Sequence, residues 1–93
     1  MKGNLICYSL GKADPTTRSL FKRELNGYLD VSNNGKYKYK REGLLQKIRH
    51  KIPIRSVIIV EEKDKNKVTR LLNKYKANYH IFNININPKE LTT

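Results

Sequence analysis

Two fully apolar runs and two alternating ones constrain this chain's fold more than any other feature. Leu5-Ile6-Cys7-Tyr8-Ser9-Leu10 and Ser56-Val57-Ile58-Ile59-Val60 are apolar at nearly every position, as strands covered on both faces are. Lys36-Tyr37-Lys38-Tyr39-Lys40 alternates strictly, and so do Phe82, Ile84 and Ile86 with Asn83, Asn85 and Asn87, the period of half-buried strands. Two helix signals lie between them. Asp14-Pro15 is an N-cap residue followed by proline at the first helical position, and Thr17, Phe21, Leu25 and Tyr28 then share a face widened by Leu20. Asp64 heads a second helix, with Val68, Leu71, Leu72 and Tyr75 at i, i+3, i+4 and i+7. Gly27 comes near the end of the first helix, and Asn33-Asn34-Gly35 is a turn signal. Leu44, Leu45, Ile48 and Ile52 predict a further short helix near 44–52, stopped by Pro53.

The resulting order, β-α-β-(short α)-β-α-β, predicts a single α+β domain over residues 1–93. A ferredoxin-like β-α-β-β-α-β plan places four antiparallel strands in the order 4-1-3-2, with two helices on one face. The fully apolar first and third strands then lie in the centre and the alternating ones at the edges. The other sheet face is left open, with an apolar strip drawn from either Leu5/Cys7 or Ile6/Tyr8 plus part of 57–60. Such a strip calls for cover. The expectation is a homodimer through the open face, with the 44–52 helix or the C-terminal tail as the alternative cover.

Charge narrows the function. The 93 residues carry 20 lysines and arginines against 8 acids, a formal charge of +12. That balance excludes an acidic regulator, and the short length excludes a multidomain enzyme. Between 36 and 55 the bases are Lys36, Lys38, Lys40, Arg41, Lys47, Arg49, Lys51 and Arg55 against the single acid Glu42, a net of +7. One carboxylate cannot neutralise eight cations, whereas the phosphates of a nucleic acid can. Arg18, Lys22 and Arg23 of the first helix extend the set. The lysines of the last helix read as ordinary solvated surface. Tyr37 and Tyr39 have two readings: core beneath the helices, with the lysines outward, or exposed rings that stack on bases. The alternation favours core.

Chemistry is less visible. There is no Walker loop, no dinucleotide loop, no paired histidines at ligand spacing and no cysteine cluster, so no cofactor and no metal are expected. Cys7 is alone, and His50 and His80 read as structural or exposed residues. The alternative catalytic set is Glu61, Glu62 and Asp64, three acids that could hold magnesium for phosphodiester cleavage. Ion pairing with Lys63, Lys65 and Lys67 accounts for them equally well. No apolar run has the length needed to span a bilayer, and the N-terminus lacks a cleavage signal. The expectation is a cytoplasmic protein with no membrane contact.

Tyr8 near the end of the first strand, Arg18 in the first helix and Ser56-Val57 opening the third strand sit on this small, basic plan. Together they resemble the Cas2 proteins of CRISPR adaptation and the Cas2-type domain of some transcriptional regulators. Those proteins typically carry a metal-holding aspartate directly after the first-strand tyrosine, and here that residue is Ser9. The resemblance therefore implies a dimeric, duplex-binding role more than a nuclease. Taken together, the sequence predicts a non-catalytic nucleic-acid-binding protein, DNA or RNA. A small Cas2-like nuclease and a ribosome-associated subunit are the alternatives.

Overall fold

The computed structural model describes residues 1–32 and 34–92. The elements are β1 (Lys2–Ser9), α1 (Pro15–Asn26), β2 (Tyr28–Ser32), β3 (Tyr37–Arg41), β4 (His50–Ile54), β5 (Val57–Glu61), α2 (Lys65–Lys74) and β6 (Asn78–Asn85), with short 3-10 turns at Leu44–Lys47, Glu62–Asp64 and Pro88–Glu90. Four strands form one antiparallel sheet in the order β4-β5-β1-β6, while β2 and β3 pair only with each other.

The first helix starts where its cap places it, whereas α2 follows Asp64, whose side chain makes no capping hydrogen bond. The Asp14 carboxylate accepts the Thr17 N–H at 2.7 Å, which also holds that carboxyl below its usual range. Gly27, at φ 77°, closes α1 by donating its N–H to the Arg23 carbonyl at 2.8 Å. The register sets Ile6 opposite Ile58 and Asn4 opposite Val60. Ile6, Ile58 and Val60 face Phe21 and Leu25 of α1 and Val68 and Leu72 of α2, and Leu45 and Ile48 complete the core. Phe21 is its aromatic centre, 5.5 Å from the Tyr8 ring and 5.6 Å from Tyr75. Asn4 is buried in the same layer and donates from Nδ2 to the Asn83 Oδ1 at 2.9 Å.

The expected ferredoxin-like plan is overturned. The described residues form six strands in two sheets, and 36–40 supplies no strand to the main sheet. Instead 37–41 pairs with 28–32, Tyr28 opposite Arg41 and Ser32 opposite Tyr37. Closing a short local turn costs less chain entropy than docking onto a distant edge. Asn34 and Gly35 of the expected turn have positive φ, while Asn33 lies outside the described residues. The helix expected over 44–52 is also absent. Its first part is the 3-10 turn, where Gln46 Oε1 accepts the Gly43 N–H at 2.6 Å, and its second part is the edge strand β4. Pro53 fits there because an outermost strand has a free side and the register of β4 slips between Lys51 and Ile54. The four-residue apolar spacing had two causes, a 3-10 turn burying Leu45 and Ile48 and a strand beyond it.

The second face of the main sheet carries Leu5 and Cys7 of β1, Val57 and Ile59 of β5, and Phe82 and Ile84 of β6, as the register requires. Thus β6 turns Phe82 and Ile84 away from the helices, and Tyr79, Ile81 and Asn83 toward them. The C-terminal tail covers one end of this face. Ile86 fills the space where a side chain on Gly3 would be, Leu91 is buried, and Thr92 bridges to His50 at the far edge. Among the described residues no helix is long and apolar enough to cross a membrane.

Candidate nucleic-acid interface

The bases that looked contiguous between 36 and 55 are spread over different surfaces. Lys36, Lys38, Lys40 and Arg41 belong to the β2–β3 hairpin. Lys47 lies beside Lys67, Arg70 and Lys74 in a groove between the 3-10 turn and α2, together with Glu24 and Glu42. Arg49 reaches the Pro88 carbonyl and lies 3.9 Å from Glu61. Lys51 sits opposite Ile59 on the second sheet face.

Arg55 is the exception, because the fold joins it to the helix group. The two-residue β4–β5 turn, Arg55-Ser56, lies beside α1 and forms with it an open groove of about 510 Å³. Arg18, Lys22 and Arg55 line this groove, with Tyr8, Ser9, Asn26 and Ser56 adding polar atoms and Leu10, Phe21, Leu25 and Ile52 an apolar floor. Among the described residues no carboxylate lines it. Arg18 is held in place by its own loop, since its guanidinium donates to the carbonyls of Gly11 and Ala13. The turn is anchored as well, because the Ser56 carbonyl accepts the Tyr8 N–H at 3.0 Å, with Ser56 at φ 67°. Half-burial against the core pushes the Tyr8 hydroxyl above its ordinary value of 10.0. At neutral pH it is therefore a protonated donor. The groove unites Tyr8, Arg18 and Ser56, far apart in sequence, and no local pattern signals that they meet.

Arg23 is not part of this groove. Its guanidinium lies over the Tyr28 ring at 4.8 Å, at the base of the hairpin. Tyr37 and Tyr39 are not core residues, contrary to the favoured reading. With no helix above the β2–β3 ribbon, both remain exposed, at 44% and 51%.

Carboxylate partners are few. Among the described residues the ion pairs are Arg41–Asp30 at 3.1 Å, Arg49–Glu61 at 3.9 Å, Lys63–Glu61 at 3.7 Å, Lys67–Asp64 at 3.2 Å and Lys74–Glu24 at 2.5 Å. None of them engages Lys22, Arg55, Lys38 or Lys40. The acids of the alternative catalytic set do not converge. Glu61 is on the second sheet face between Arg49 and Lys63, and Glu62 is exposed near Lys2. Asp64 is buried against Lys67 at the start of α2. Among the described residues no three histidine, cysteine or acidic side chains gather as a metal site would require. The histidines are also apart. His50 has Nδ1 3.1 Å from the Ile48 carbonyl, while His80 lies opposite Cys7 on the other face of the sheet.

In comparisons with known proteins, no family model, no curated protein and no solved structure matches this chain.

Proposed function

We propose that this protein binds nucleic acid through its phosphate backbone, with the α1/β4–β5 groove as the principal contact and the β2–β3 hairpin as a second. The observation that carries this reading is the convergence of Arg18, Lys22 and Arg55 on one groove with no carboxylate among its lining residues. Like charges gathered without counter-charge repel one another, and an anion relieves that cost. A chain at +12 draws polyanions from a distance, while a groove holding three cations and neutral donors gives a phosphate somewhere to settle. Phosphate contacts position a nucleic acid without reading its sequence, so the expected binding is tolerant of sequence and steeply salt-dependent.

The test is binding to a labelled duplex over a range of salt concentrations. Replacing Lys22 and Arg55 with alanine lowers affinity about equally for unrelated sequences, and the slope of log K against log salt flattens by about 2. Lys38→Ala, Lys40→Ala and Arg41→Ala together flatten it by up to about 3. Lys63→Ala with Lys89→Ala removes the same charge as the groove pair from elsewhere and serves as the control. Equal losses from the groove pair and this control would reduce the groove to a share of the overall charge, and unchanged affinity in every variant would overturn the reading.

A further inference from the structure

We infer that the β2–β3 hairpin is an arm for unpaired bases, stacked in turn on Tyr37, Tyr39 and Tyr28. This rests on the nucleic-acid reading above and names the form of nucleic acid preferred. Residues directly opposite each other across an antiparallel pair share a face. The register therefore puts Tyr28, Asp30, Ser32, Tyr37, Tyr39 and Arg41 on one side of the ribbon and Leu29, Val31, Lys38 and Lys40 on the other. The tyrosines are exposed, and each has a cation at its ring: Lys36 at 5.7 Å from Tyr37, Arg41 at 5.7 Å from Tyr39 and Arg23 at 4.8 Å from Tyr28. Arg41 is fixed further by Asp30, which accepts from its Nε at 3.3 Å and its terminal nitrogen at 3.1 Å. Each ring is thus steadied from one side, with a positive charge within reach of the phosphate flanking any base it meets.

Spacing selects unpaired strands. Tyr37 and Tyr39 are two residues apart on one strand, a separation of about 7 Å. Tyr28 is the diagonal neighbour of Tyr39 across the pair, about 7–8 Å away. Bases within a duplex repeat about every 3.4 Å and present only their edges to a protein. Rings at twice that spacing match a strand whose bases have been unstacked, and stacking needs the open face of a base.

The experiment compares a thymidine oligomer of about 12 nucleotides, an abasic oligomer of equal length and a blunt duplex, with phosphatidylserine vesicles as a further arm. The wild-type protein prefers the thymidine oligomer to the abasic one by about tenfold or more. The Tyr37→Ala/Tyr39→Ala variant loses that preference yet binds abasic oligomer and duplex within about twofold of wild type, and Tyr37→Phe/Tyr39→Phe retains it, since a phenyl ring stacks as well. Equal wild-type affinity for thymidine and abasic oligomers, with binding still dependent on Lys22 and Arg55, overturns the stacking arm and leaves the phosphate reading intact. Loss of vesicle binding alone in the alanine variant reassigns the hairpin to a lipid surface. Absence of all nucleic-acid binding removes both.

Discussion

The β2–β3 hairpin and the body of helices on a sheet are built from similar residues to opposite effect. In the body, apolar side chains meet: Ile6, Ile58 and Val60 close against Phe21, Leu25, Val68 and Leu72. The hairpin has its own apolar and aromatic residues, yet Leu29, Val31, Tyr37 and Tyr39 are all exposed, and among the described residues none of the hairpin belongs to the buried core. Its strands are held by their mutual pairing, by cations over its tyrosines and by its anchorage below Gly27. Stability therefore resides in the body, and the hairpin's side chains remain available for contact. The groove lies on the body's own surface, where rigid elements fix Arg18 and the Ser56 turn. In the function we propose, the two regions offer a nucleic acid different things, a fixed pocket for phosphate and a projecting row of rings.

The sharpest way to break that contrast is to remove one large ring from each region. Phe21→Ala leaves a cavity at the aromatic centre and lowers stability by about 3–5 kcal/mol. Tyr39→Ala changes it by no more than about 0.5 kcal/mol. Urea unfolding of both variants measures this, and a similar loss in each would make the hairpin part of the core.

The junction between the regions comes next. Gly27 and Gly43 lie against each other where α1 ends and the hairpin returns. A side chain on Gly43 would run into the Gly27 nitrogen and the Leu25 carbonyl, and one on Gly27 into the Arg41 carbonyl. Gly43→Ala is expected to cost about 1–3 kcal/mol and to shift amide resonances in both α1 and the hairpin. Shifts confined to the hairpin would mean that it is not braced against the helix.

The smallest effect is alkaline. Tyr8, at the groove wall, has its hydroxyl pushed above 10.0 by burial, so the folded protein keeps that proton after the unfolded chain has lost it. The contribution is fully present below pH 10 and declines as pH rises from there through the raised value. Tyr75, pushed up to about 12 by the Glu24 carboxylate, acts in the same direction. Tyr8→Phe should flatten the alkaline fall in urea midpoint without abolishing it.

Much of the body was legible from spacing. Asp14-Pro15 started α1, and the positions of Val68 and Leu72 gave the buried stripe of α2, whereas Tyr28, expected on the buried face of α1, opens β2 beyond Gly27. The short β2 strand was missed although its signal was present, for Asn34-Gly35 is flanked by two short runs able to pair. Strand β4 was hidden because Leu44, Leu45, Ile48 and Ile52 imitate a helical period while belonging to a 3-10 turn and an edge strand. The candidate site was half legible. Arg18, Lys22 and Arg55 were each singled out by charge, but their convergence was not, and the weight placed on the contiguous 36–55 segment proved too local.

The sequence by itself determined which residues seek burial, where both helices begin, and that the chain carries a large unneutralised positive charge. These are properties of composition and short-range period. Tertiary structure alone decided that 37–41 pairs with its near neighbour and stays outside the main sheet, that the tail crosses one end of the open face, and that Arg55 meets Arg18 and Lys22. Periodicity reports how each residue sits relative to its own strand or helix. Which elements meet depends on loop closure and on close approaches such as that of Gly27 and Gly43, and neither leaves a repeating mark in the chain.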